Sequence, residues 1–225
     1  MQVLLVAATP FEIAPTIAWL EQGFEQPRSG VFTKGRLEVQ LCVTGIGILA
    51  TSWQLARIFA HQKPDFAINA GVGGAIDLKM RLGDVVFVDT ERLADLGVED
   101  ADGQFLDLFD LGLSGADDPP FAAGQLLNPT SDMVNYLPKA KGITVNKVHG
   151  SGGSIAALRK KYPDAQVESM EGAAFFYACL NAGVPFAEIR AISNYVAPRN
   201  RDAWDLPGAI SALNQVLEQM LSEFG

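Results

Sequence analysis

Three short stretches place polar residues at the edges of apolar runs, where packing alone gives no reason for them. Glu12 comes just after the run VLLVAATP, Met170-Glu171 opens an apolar helical stretch, and Ser193-Asn194 closes an apolar strand. A carboxylate can take a proton or accept hydrogen bonds from hydroxyl groups; a carboxamide can donate and accept but cannot serve as an acid. Each also has a plain structural reading. Glu12 suits the positive end of a helix. Glu171 suits a helix start, with Met170 as core filler. Asn194 suits a turn at the end of a strand. The functional reading rests on placement, because ligands of open α/β sheets bind beyond the carboxyl ends of strands. Met170-Glu171 and Ser193-Asn194 are therefore expected to face one pocket, with Glu12 beside the carboxyl end of the first strand.

The elements that must position these groups follow from the pattern. Residues 3–8 form an apolar run of strand length, suited to burial on both faces. Thr9-Pro10 stops it, and a helix is expected to about residue 22. Residues 31–43 read as a hairpin turning at Lys34-Gly35. TGIG (44–47) leads into an amphipathic helix over 48–62. A buried strand over 66–70 ends in AGVGG (70–74), read as a second Gly-rich turn after a strand. Glycine there lets backbone approach a ligand or another chain closely. Strands are expected over 85–89 and 143–148, a helical turn over 133–137, and a short helix ending at 161. Residues 90–130 read mostly as loop, too long to be idle in a compact domain. A strand end at 166–168, a helix over 171–181, a stop at Gly183 and Pro185, and a strand over 186–193 follow. The closing helix is expected over 207–224. Strands alternate with helices throughout, which predicts an α/β class: one three-layer domain over 1–225 with a twisted mixed β-sheet flanked by helices.

Composition limits what such a domain can do. At 225 residues with 48% apolar residues, the chain can bury a sizeable core. A net charge of −9 argues against nucleic acid or an anionic membrane as partner. A charged fraction of only 19% points to buried subunit surface, hence a homo-oligomer. Cys42 and Cys179 both lie in apolar runs, as expected of buried thiols in a reducing cytoplasm. With His61 and His149 the only histidines, no metal site is expected. His149 itself reads as structural. The N-terminal apolar run is too short for a signal or a span.

The segments VESMEG (167–172) and RAISN (190–194) resemble the ribose and purine segments of the purine nucleoside phosphorylase and nucleosidase superfamily. Glu12, TGIG, NAGVGG (69–74) and Gly83-Asp84 fall in the family's order, so the resemblance covers most of the chain. It implies a twisted mixed sheet flanked by helices, assembled as dimers or larger oligomers, acting on a purine nucleoside without a cofactor. Ile46, Val72, Gly73 and Gly74 match substrate-binding positions. Glu171 matches the residue that accepts hydrogen bonds from the ribose hydroxyls, with Met170 packed on the sugar. Trp204, ten residues past Asn194, stands where related nucleosidases put a lid aromatic. Ser169 stands where several members have Glu, and Glu168 one place earlier, so the ribose contacts are expected to differ.

The same resemblance separates two reactions. Phosphorylases of the family hold phosphate with arginines, but TPFEIAP (9–15) and Asn69-Ala70-Gly71 carry none. Nucleosidases place a general base for water where Glu12 stands, so hydrolysis is expected, unless Arg57, Arg81 or Arg92 reaches the site. Adenine-cleaving members carry Asp where this chain has Asn194. Losing that acid typically costs about 10²–10⁴ in rate. An amide there suits a 6-oxopurine, which departs more readily as an anion and needs donors around it. Arg199 and Arg201 lie in RNRDAW (199–204) as candidates for an acidic substrate group.

Overall fold

The computed structural model describes residues 1–130 and 134–225. The first half runs β1 (Gln2–Ala7), a 3-10 turn (Pro10–Ile13), α1 (Ala14–Gly23), β2 (Glu25–Arg28), β3 (Val31–Lys34), β4 (Leu37–Val43), α2 (Ile48–His61), β5 (Phe66–Ala75) and β6 (Val85–Glu91). There follow β7 (Gly97–Glu99), β8 (Phe105–Asp107), β9 (Leu126–Leu127), β10 (Lys139–Thr144), α3 (Gly152–Lys161), β11 (Val167–Ser169), α4 (Gly172–Ala182), β12 (Phe186–Tyr195) and α5 (Leu206–Glu223).

The main sheet has the order β11-β10-β6-β12-β5-β1-β4-β3-β2, with β9 beside β6, and β7 pairs with β8 in a separate two-stranded sheet. Parallel pairs β4-β1, β1-β5 and β5-β12 form its centre. β12 and β6 are antiparallel, which makes the sheet mixed as expected. β11 then turns back to pair antiparallel with β5, so β5, β12, β6, β10 and β11 close on themselves. That closure brings segments distant in sequence to one end of β5.

Period-two alternation sorts the core onto the two faces of the sheet. Val3 and Leu5 of β1 pack with Ile68, Ile189, Leu213 and Leu217 on the side of α5. Leu4 and Val6 pack with Leu55, Phe175, Phe176 and Phe186 on the side of α2 and α4. The Phe186 ring meets Phe176 at 4.7 Å and Phe175 at 5.5 Å, both edge-on. Replacing such a ring by alanine costs about 3–5 kcal/mol. This packing seats α4, and with it Glu171, against β12. Gly183 ends α4 with φ 67°, a left-handed conformation that a side chain would strain.

The structure corrects three boundaries. AGVGG is not a turn: it lies inside β5, whose ten residues run through to Ala75. The glycines are strand residues because neighbouring strands and side chains crowd them. β10 covers 139–144 rather than 143–148, set by its pairing with β6 and β11. β12 extends through Tyr195, so Asn194 is a strand residue paired with Gly74, not a turn. Residues 90–130 are mostly irregular but hold the β7–β8 hairpin and β9. The helical turn expected over 133–137 falls partly outside the described residues, and 134–137 is not helical. Among the described residues, no helix is long and apolar enough to cross a membrane.

Candidate functional site

The carboxyl end of β1 leads into Thr9, whose backbone N–H and hydroxyl both donate to Glu12 Oε2, at 3.0 and 2.9 Å. Glu12 is thus turned back over the start of its own 3-10 turn. Its other oxygen, Oε1, accepts the Val72 N–H of β5 at 3.1 Å. A side chain of glutamate length is held at three points, two of them local and one set by the sheet.

Gly71 explains why the carboxylate can sit so close to β5. A Cβ at that position would lie 2.8 Å from Glu12 Oε1 and 2.8 Å from Arg190 Nη1. The missing side chain lets a carboxylate and a guanidinium meet over bare backbone. Arg190 comes from β12, where it pairs in register with Gly71, and it is only 2% exposed. Its Nε lies 2.9 Å from Glu188 Oε1. The contact is ionic, since neither atom finds hydrogen-bonding geometry. Burial acts to lower the Arg190 pKa, but the carboxylates of Glu188, Glu171, Glu12 and Glu91 outweigh it and raise it. The guanidinium stays charged.

Glu171 occupies the N-cap position of α4, its side chain turned away from the helix's own N–H groups, and lies almost wholly buried. Gly47, in the loop before α2, donates its N–H to Glu171 Oε1 at 2.9 Å. Burial raises the Glu171 pKa, opposed chiefly by Arg190 and the Gly47 N–H. Glu188 is pushed up to about 7 by burial, against the pull of Arg190. Glu91, also fully buried, is raised by burial and by the charge of Glu188. Beneath the site, then, one guanidinium serves several carboxylates.

The second part of the site is a cavity of about 300 Å³ lined by Gly74, His149, Glu168, Asn194, Arg199 and Trp204, among others. Asn194 stands just past an irregularity in the β12–β5 register, between Ile192 and Asn194. Ser193 Oγ donates to Asn194 Oδ1 at 2.9 Å, and Asn194 Nδ2 donates to the Tyr195 carbonyl at 3.2 Å. Glu168 of β11 accepts the His149 N–H at 3.1 Å and is also in contact with His149 Nδ1. The Arg199 guanidinium lies 5.6 Å from the centre of the Trp204 ring.

The expected residues therefore separate into groups. Glu12, Val72 and Glu171 gather around Arg190. Gly74, Asn194 and Trp204 line the cavity. Gly73 packs under Val167, whose Cγ1 would be 2.8 Å from an added Cβ. Met170 is half-buried. Ile46 is 63% exposed and does not line the cavity; it is Gly47, its neighbour, whose backbone reaches Glu171. Arg92 is committed to Asp164 through two hydrogen bonds of 3.0 Å. Arg81 pairs with Asp84, and Arg57 lines a separate surface depression with Arg28 and His61. Arg201 is exposed and outside the cavity lining.

Sequence reasoning did not single out Arg190, and it did not foresee the contact between Glu168 and His149. A signal for Arg190 was present: an arginine inside an apolar strand needs partners, because a buried charge is costly unless paired. Glu168 and His149 carried no such signal, since β11 pairing and the loop before α3 bring them together.

Comparison with known proteins fits this arrangement. A model of the phosphorylase superfamily matches residues 2–222. Futalosine hydrolase from Acidothermus cellulolyticus is 33% identical over 214 residues, 93% of this chain and 86% of that protein. Futalosine hydrolase from Thermus thermophilus is 33% identical over 193 residues, 81% of this chain and 80% of that protein. The 5′-methylthioadenosine/S-adenosylhomocysteine nucleosidase of Neisseria meningitidis, solved with methylthio-immucillin-A, shares the fold. It superposes with a TM-score of 0.77 at 19% identity, covering 99% of each chain. The corresponding nucleosidase of S. pneumoniae superposes with a TM-score of 0.76 at 22% identity, covering 98% of this chain and 97% of that one. With the closed end of the sheet, the paired carboxylates and a family match running almost end to end, the chain belongs to the phosphorylase superfamily.

Proposed function

We propose that the protein is a futalosine hydrolase, which uses water to cut the N-glycosidic bond of futalosine and releases hypoxanthine and dehypoxanthine futalosine, a step of menaquinone biosynthesis. The observation that carries the hydrolytic reading is the Glu12 carboxylate, held by Thr9 and the Val72 N–H beside the Arg190 guanidinium. The relatives named futalosine hydrolase, at 33% identity over most of the chain, support the choice of substrate, as does the likeness of the RAISN and RNRDAW pair to that enzyme.

In this reading Glu171 accepts hydrogen bonds from the ribose hydroxyls, and Met170 packs on the sugar. Charge-assisted bonds of that kind are the strong ones. As the bond from C1′ to the purine lengthens, the sugar becomes oxocarbenium-like. Its electron pair leaves with the base, and Asn194 donates a hydrogen bond to the purine edge as negative charge builds there. Water attacks C1′ and passes a proton to Glu12, and the departing purine anion takes up a proton from solvent to leave as hypoxanthine. Arg190, adjacent to Glu12, positions the base and the water between fixed charges, so little reorganisation is needed during the reaction. Val72, Gly73 and Gly74 supply backbone along the substrate, and Trp204 closes the cavity. The Arg199 guanidinium suits the benzoate of futalosine. Phosphorolysis would need a cation free to hold phosphate. Arg190 is already balanced by carboxylates, and Arg92 by Asp164.

The enzyme works in the cytoplasm in this reading, as a homo-oligomer. Two observations support that. Cys42 and Cys179 are buried free thiols. Ile46, Leu49 and Trp53, 63%, 85% and 64% exposed, lie at helical spacing from the TGIG loop into α2. An apolar stripe of that kind marks an interaction surface. Leu49→Lys is expected to shift the sedimentation coefficient to that of a monomer; an unchanged value removes this face as the interface.

The activity is tested by chromatography of reactions with futalosine, inosine and methylthioadenosine, each with and without phosphate. Hypoxanthine from futalosine, independent of phosphate, is expected. Adenine from methylthioadenosine as the main product would overturn the choice of base, and strict phosphate dependence would overturn hydrolysis.

A further inference from the structure

Glu91 and Glu188 are fully buried carboxyl groups that take no direct part in the proposed reaction. They come from neighbouring strands, β6 and β12, where Glu188 pairs in register with Val88. Simple alternation would turn Glu91 to the far face of β6, with Phe87. The register of β6 with β10 slips just before it: Ala140 pairs with Val88, Lys141 pairs with Thr90, and Asp89 is skipped. One extra residue in a strand inverts the faces beyond it. Glu91 therefore points with Val88 and Glu188 toward α4.

The backbone is bare where they meet. A Cβ on Gly172, the first residue of α4, would lie 2.6 and 2.7 Å from the two Glu188 oxygens and closer still to Glu91 Oε1. The two carboxyl groups thus converge over one glycine. Thr144 Oγ1 donates to Glu91 Oε2 at 2.8 Å and itself accepts the Ala173 N–H at 2.7 Å. Among the described residues, no group hydrogen-bonds to Glu91 Oε1 or to either oxygen of Glu188. The cation beside them is Arg190, whose Nε lies 2.9 Å from Glu188 Oε1.

Charge and hydrogen bonding favour one state of this pair. Two ionised carboxylates so close and so deeply buried repel each other, and Arg190 is already faced by Glu12 and Glu171. Two neutral carboxyls would leave the guanidinium without its nearest countercharge. With one proton between them, Glu91 Oε1 becomes a donor and Glu188 an acceptor, which satisfies oxygens otherwise without partners. Burial raises both carboxyls, and the charge of Glu188 raises Glu91 as well, in keeping with Glu91 as the holder of the proton.

We propose that Glu91 and Glu188 share one proton, and that the single negative charge of the pair positions Arg190 beside Glu12. Held from that side, Arg190 steadies Glu12 without closing on it, and the Glu12 carboxylate is left free to take a proton from water. The kinetic consequence rests on the hydrolase reading above; the shared proton does not.

Two measurements test this. The first needs no turnover. The infrared spectrum of the wild-type enzyme is recorded in mildly alkaline heavy water, above the value of about 7 at which Glu188 titrates. It is expected to show the C=O stretch of a protonated carboxyl group, and Glu91→Gln is expected to remove that band. No such band, or a band that survives Glu91→Gln, overturns the shared proton. The second is kinetic, with rates taken per active site. Glu91→Leu fills the space but offers no donor, so kcat for hypoxanthine release should fall by about tenfold or more. KM should hardly move, because Glu91 touches no substrate group. Glu91→Gln, whose amide donates where the carboxyl did, should restore kcat to within about threefold of wild type. A role confined to stability would not produce that loss and rescue in kcat. Wild-type kcat in Glu91→Leu, or a Glu91→Gln enzyme as impaired as Glu91→Leu, overturns the positioning role. If the wild-type enzyme releases no base from any purine nucleoside, the hydrolase reading fails and the positioning role with it, while the infrared band still decides the shared proton.

Discussion

Around Glu12 the site is built from buried charge held by backbone, whereas around Asn194 it is built from side chains beside a strand irregularity and walled partly by exposed loop. Glu12, Glu171 and Arg190 come from a 3-10 turn, a helix cap and the middle of a strand. Each is tied by a backbone N–H or a countercharge. The cavity end has Glu168 and Asn194 on strands, but also Arg199 and Trp204 on the segment between β12 and α5. The first region depends on the register of the whole sheet, so one altered residue there disturbs several partners. The second depends on hydrogen-bond types at a few positions, so a single substitution can change selectivity and leave the fold alone. Under the proposed function, the difference would divide the labour, with bond-breaking chemistry on the rigid part and base selection on the adjustable part.

The largest effect expected of that division is on turnover. Glu12→Gln should lower kcat on the order of 10²–10⁴, measured by hypoxanthine release, while calorimetry shows substrate still bound. Near-normal turnover would remove Glu12 as the base and leave the charged end without a catalytic task. Next is stability. Glu188→Ala strips Arg190 of a carboxylate at 2.9 Å and should cost about 3–5 kcal/mol in urea unfolding. A loss no larger than that of an exposed pair, about 1 kcal/mol or less, would mean that the charged end is not rigid in the sense argued.

At the cavity end the effect should appear in selectivity instead. Asn194→Asp is expected to lower kcat/KM for 6-oxopurine nucleosides by about tenfold or more, with unfolding nearly unchanged. An unaltered preference between inosine and a 6-amino analogue would break the comparison from that side.

The smallest effect is a pH slope. An unfolded glutamyl carboxyl titrates near 4.5, while Glu188 in the fold titrates at about 7 because of burial. Between those values the folded state binds more protons than the unfolded state. The contribution of Glu188 is therefore complete below about 4.5 and is lost as pH rises through about 7. Glu91, raised by burial and by Glu188, acts in the same direction. Unfolding free energy across this range should fall less steeply with pH in Glu188→Gln than in wild type. Equal slopes would assign the proton uptake elsewhere.

Much of this molecule could be read in one dimension. Apolar runs of strand length mark β1 and β12, and helical spacing marks α2 and α5. Gly183 and Pro185 end α4 by backbone geometry that no neighbour has to supply. Glu12, Glu171 and Asn194 are likewise visible, because each interrupts an apolar pattern at the edge of an element. Tertiary structure decided the rest. AGVGG became strand because β12 and β11 pair along it and their side chains occupy the space over its glycines. Ile46 proved exposed because only the backbone beside it turns inward. Arg190 meets Glu12 only through the β12–β5 register, and Glu168 flanks Asn194 only because β11 closes back on β5. Local sequence sets which conformations a segment prefers. Which side chains meet is set by pairing between segments far apart in the chain, and no local pattern encodes that register.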